Sequence, residues 1–111
     1  MNDFPESDWK ILSRLKPLAL ERLCLRILHQ IQAYITTMPA GASHSTYLAI
    51  YRFIHEQDRL IAAGFNHWSR SRAFEHLLIW RRHALLTEDE FASFSAETRQ
   101  RITSALANLR D

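Results

Sequence analysis

Apolar residues recur at intervals of three and four along most of this chain, the period of helices that turn one face to a core. Between Pro17 and Thr36, Leu20, Leu23, Cys24, Ile27, Leu28, Ile31, Tyr34 and Ile35 share one side. Glu21, Arg22, Arg26, His29 and Gln30 cover the rest, while Leu18 and Leu25 fall on the polar side and hint at a second contact. Tyr47, Ile50, Tyr51, Ile54, Ile61, Phe65 and Trp68 continue the pattern. A last stripe joins Phe74, Leu77, Leu78, Trp80, Ala84 and Leu85 in "FEHLLIWRRHALL".

Local signals predict where these helices begin and end. Ser7 or Asp8 is placed to cap a short first helix, which Pro17 should end or kink because it steers Lys16 away from helical geometry. Pro17 itself suits the first position of a second helix running to about Thr36. "TTMPAGASHS" (36–45) reads as a loop, and "NHWSRS" (66–71) as a turn. Thr87 followed by Glu90 forms a capping box, and Ser95 caps a final helix bearing Ile102, Ala105, Leu106 and Leu109. The expectation is all-α: one helical domain over 1–111, a bundle of about five or six helices built around a central hairpin of 45–68 and 70–86.

Composition agrees with helix. Valine is absent, Leu, Ala and Ile dominate, and two glycines with three prolines are few for a turn-rich β fold. With 111 residues and 47% hydrophobic content the chain is long enough for a real core. Cys24 is the sole cysteine, so no internal disulfide forms, and "MNDFPESDWK" lacks the basic and apolar regions of a signal peptide. The longest stretch free of Asp, Glu, Lys and Arg, Ile27 to Tyr51, holds too many polar residues and a proline to span a bilayer. A cytoplasmic protein without membrane contact is expected. "ALLTEDEF" (84–91) is similar, over eight residues, to the start of a short C-terminal domain found at the ends of many bacterial proteins; the usual preceding glycine and following lysines are missing.

Two charges interrupt the apolar stripes. Arg81 lies in the middle of the last one, and Asp58 sits among Tyr51, Ile54, Ile61 and Phe65. A buried charge needs a partner. If the hairpin turns near 69–70, position 58 lands opposite 81, so Asp58 and Arg81 are expected to form a buried pair with Arg70 near the turn. The alternative is a polar pocket in which Arg70 and Arg81 receive an anionic ligand or partner carboxylate, lined by Tyr47 or Tyr51. Opposite the apolar stripe, Arg72, Arg82, His76 and His83 form a candidate basic contact face.

Other chemistry is weakly signalled. No Glu-x-x-His pair, His-Glu-x-x-His or Cys/His cluster offers metal ligands at helical spacing, and no glycine-rich phosphate loop or nucleophile elbow occurs. Neither a catalytic site, a metal nor a cofactor is expected. Twelve arginines against two lysines suit ion-pair networks or an anionic partner, but the formal charge is only +2. The chain therefore reads as a small non-enzymatic interaction or regulatory module acting through helix–helix contacts with a protein partner or, as a homodimer, with itself. An Arg-rich nucleic-acid-binding regulator is the alternative.

Overall fold

The computed structural model describes residues 4–110. Over the described residues the protein is all-helical: α1 (Glu6–Thr36), α2 (Ser43–Phe65), a short 3₁₀ turn (Arg70–Arg72), α3 (Ala73–Arg82), α4 (Glu88–Ala92) and α5 (Ala96–Arg110). These five α-helices pack against one another as a small bundle.

Pro17 does not end a helix. It lies inside the 31-residue α1, although a proline there removes one backbone hydrogen bond and crowds the preceding turn. Packing overrides the local preference: Leu12, Leu15, Ala19 and Leu23 are buried along one continuous side, while Pro17 faces solvent, where water reaches the carbonyl it leaves free. Asp8 does not cap α1 either, because that helix begins after Pro5. Its carboxylate, only 1% exposed, instead reaches the start of α5, accepting from Ser95 N (2.9 Å), Ser95 Oγ (2.7 Å) and Thr98 Oγ1 (2.6 Å). A buried anion is tolerated there because three donors and the positive end of a helix dipole converge on it. Ser95 Oγ in turn accepts from Thr98 N, as its capping role requires.

The turn between α1 and α2 is tight. Ala42 N donates to Pro39 O, and Gly41 supplies the positive φ of 83° that the third position of such a turn demands. The two helices then run back along each other, with Tyr34 edge-on to Phe53 at 5.8 Å.

The core lies at the far end of this pair. Trp80, Leu12, Leu77, Leu85 and Ile102 are fully enclosed there, with Phe4, Phe65 and Phe94 around them. Trp80 donates to Gly64 O (3.0 Å), a close approach that glycine eases: a Cβ at position 64 would lie 3.3 Å from Ile79 Cγ2, which would have to give by a few tenths of an ångström. Trp80 stacks on Phe65 and Trp68, and Trp68 meets Trp9, while Lys16 lies 4.3 Å over the Trp68 ring.

This crossing overturns the expected hairpin register. α2 ends at Phe65, seven residues intervene, and α3 returns across the last turn of α2 with residue 80 facing residue 64. Position 58 is then about 9 Å further along α2, at 1.5 Å per residue. Asp58 and Arg81 do not meet, and Asp58 is exposed.

Candidate interaction surface

α3 shows how a stripe can be misjudged by one position. Its buried side is Ala73, His76, Leu77 and Trp80, spaced three, four and seven apart, while Phe74 and Leu78 are only half-buried. Arg81 consequently sits on the flank rather than in the core. Its guanidinium makes a bidentate pair with Glu88 (2.8 and 3.1 Å) and lies 4.0 Å over the Phe91 ring.

The same rotation takes His76 out of the expected basic face. It is 1% exposed and stacked on Trp68 at 4.9 Å, and neither ring nitrogen makes a hydrogen bond of good geometry, although the Ala63 and Gly64 carbonyls lie near the ring. Burial pushes its pKa below the ordinary histidine value, with the Ala63 and Gly64 carbonyls and Glu75 acting the other way. His76 was drawn inward because Trp80, one turn on, must reach Gly64. His83 is half-buried beside Arg26 and Arg82, and desolvation lowers its pKa too. Of the four residues of that face, only Arg72 and Arg82 are exposed.

The anion pocket does not assemble either. Arg70 donates from Nε to Phe4 O (2.9 Å) and lies 4.0 Å from Glu6, holding the residues that lead into α1. Tyr47 and Tyr51 are on the paired helices, exposed, with Tyr51 stacked on His55.

Other arginines join elements together. Arg22, on α1, forms a bidentate pair with Glu90 (2.6 and 2.9 Å) and also donates to Leu85 O (2.9 Å). Arg26, one turn later, donates to His83 O (2.5 Å) and to Ala84 O. These two guanidinia thus cover three successive carbonyls, those of residues 83–85, in the turn just beyond α3, where the helix dipole is negative. The chain turns there through Ala84 in the left-handed region (φ 54°), with Leu85 N bonded to Trp80 O as in a glycine-type helix stop. Glu90 completes the junction through the capping box with Thr87.

Clefts are shallow in chemistry. One of about 480 Å³ is lined by Arg81, Arg82, Glu88, Thr103, Leu106 and Leu109, and its Arg81 charge is already balanced by Glu88. A second, of about 280 Å³, lies between Leu23, Ile27, Phe53 and Leu60, with Arg26 and His83 at its edge. Among the described residues no group of three His, Cys, Asp or Glu side chains could hold a metal ion. No described helix is long and apolar enough to cross a membrane.

What stands out is the distal part of the α1–α2 pair. From Cys24 to Ala63 no residue is buried, and this arm stretches the molecule to 54 × 31 × 26 Å. Tyr34 with Phe53 marks the sides on which the two helices touch, and Ile27 and Leu60 line one cleft between them. The apolar residues read as a core stripe on α2 lie about a quarter-turn away from that contact, as do Leu28 and Ile35 on α1. In an antiparallel pair both displacements point to one face. That face carries Leu28, Ile35, Tyr47, Tyr51 and Ile54, with Tyr47 64% and Leu28 60% exposed, and Met38 is exposed in the turn that follows α1. Ile31 and Ile50 lie half-buried between the two rows. Leu18 and Leu25, expected to make a second contact, are exposed nearer the core end.

The sequence offered one sign of this surface. The span without Asp, Glu, Lys or Arg, Ile27–Tyr51, is the arm's distal part. A solvated helix pair would be expected to carry charge there. Comparison with known proteins returns no match: no family model, no curated protein and no solved structure matches the chain.

Proposed function

We propose that this chain is a non-enzymatic docking module of the cytoplasm, regulatory in effect, whose helical arm packs against helices of a protein. The observation that carries the reading is the exposed apolar face along the uncharged distal part of the arm. Two isolated helices bury too little to hold an apolar face in water for its own sake, and a patch of this size marks a contact site. Helix-in-groove or helix-on-helix docking is the recognition mode such a face suits, since its rows recur at heptad spacing: Leu28 and Ile35, Tyr47 and Ile54.

The Arg-rich alternative is less well supported. Arg22, Arg26, Arg70, Arg81 and Arg99 are engaged with carboxylates or carbonyls of the chain itself, and Arg101 lies over Phe74. Engaged guanidinia have little to offer phosphates. A photo-reactive residue at position 51, with position 72 as the control, tests the choice in cells. Protein adducts from position 51 that survive nuclease support docking; adducts to nucleic acid from position 72 alone would reverse it.

A further inference from the structure

We infer that the partner on the arm is a second copy of this chain, with the two arms packed antiparallel into a four-helix bundle. The inference rests on the docking reading above and names its occupant. Area is the first argument. Leu28, Ile35, Met38, Tyr47, Tyr51 and Ile54 leave on the order of 600 Å² in solvent, so these residues of two copies face to face can remove up to roughly 1,200 Å², the lower bound for a specific interface. Ile31 and Ile50, between the rows, add to that as they close.

Charge is the second. A partner of opposite charge finds nothing to pair with between Ile27 and Tyr51, whereas two copies of a neutral face meet without repulsion. An isologous contact asks only that the patch complement itself, and two rows of Leu, Ile and Tyr at heptad spacing do so.

The orientation follows from the base of the face. By helical period Glu21 and Asp58 border it there, both acidic and both exposed. A parallel pairing would gather four carboxylates at one end. The antiparallel pairing sets each acidic base against the uncharged tip of the other arm, roughly 20 Å from its twin, well beyond a Debye length.

Sedimentation equilibrium of the full chain at about 50 µM, above a micromolar Kd, tests the inference. The expected mass is twice the 13.0 kDa of the monomer. Ile54→Glu and Leu28→Glu alter exposed positions, so each should keep its helical signal and melting cooperativity while most of the protein becomes monomeric, with Kd raised at least about a hundredfold. A spin label at Met38→Cys in a Cys24→Ser background should report tips about 20 Å apart; tips in contact would overturn the arrangement. A monomer at this concentration, or a dimer indifferent to both substitutions, overturns the second-copy inference. If the protein is monomeric yet position 51 still cross-links a different protein, only the occupant is wrong; if position 51 cross-links nothing, the docking reading fails with it.

Discussion

Glu90→Gln isolates the charge at the junction of α1, α3 and α4. Glutamine keeps the capping-box geometry, since its amide oxygen still accepts from Thr87 N, so the change mainly removes the bidentate charge pair with Arg22. That pair, helped by the Thr87 hydrogen bonds, holds the Glu90 pKa down from 4.5 to about 2. That depression is worth at most ~3.4 kcal/mol, part of which comes from the Thr87 bonds that glutamine keeps. Solvent reaches part of both side chains, 34% of Arg22 and 20% of Glu90, and screening brings the expected loss to about 2 kcal/mol. For a chain of this size that lowers Tm by roughly 8–10 °C. The pH dependence gives a second reading. A carboxylate depressed by folding contributes its stability above the unfolded value of 4.5, and that contribution is lost as pH falls from there through about 2. Thermal melts followed by far-UV circular dichroism should therefore show wild type and variant well separated near neutrality and converging in acid. Comparing the pair cancels other acidic groups, among them Glu88, whose pKa Arg81 also lowers. A loss under about 0.5 kcal/mol, or a gap that stays constant across the acid range, would refute the reasoning.

Three further substitutions probe the core and its caps. His76→Phe keeps the stack on Trp68 and removes two poorly bonded ring nitrogens, so urea melts should show stability unchanged or raised by about 1 kcal/mol. Because burial lowers the His76 pKa, folding stability is full above 6.5 and declines as pH drops below it, a slope that the Phe variant should lose. Asp8→Ala leaves the Ser95 and Thr98 donors without their acceptor, and chemical denaturation should show a loss of about 2–4 kcal/mol; a loss under about 1 kcal/mol would mean that water replaces the carboxylate freely. Ala84→Gly relieves a left-handed alanine at the end of α3 and should raise Tm, by up to ~1 kcal/mol of stability; a lower Tm would show that chain entropy outweighs the strain.

The features legible in the sequence are all local ones. The capping box of Thr87 and Glu90, the Ser95 cap, the loop around Pro39 and Gly41 and the helical class depend on residues within four positions of one another. Their energetics are complete in a short peptide. Which side of each helix is buried is not a local property. The period of Tyr47, Ile50, Tyr51 and Ile54 is equally consistent with a core stripe and with an exposed docking face; only the side on which α2 meets α1 decides, and it leaves Tyr47, Tyr51 and Ile54 outside with Ile50 half-buried.

Helix continuity and polar pairing were decided in the same way. Pro17 stays within α1 because four buried residues around it bind that helix to the core. Asp8 serves a helix some ninety residues away, Arg81 finds Glu88 instead of Asp58, and His76 turns inward because Trp80 seeks the bare backbone of Gly64. A one-dimensional period specifies that a helix has an apolar side. Burial, however, is a volume shared by several helices, and the choice among nearly equivalent faces falls to how they pack together, here with Ile79 and Trp80 of α3 close against Gly64 of α2.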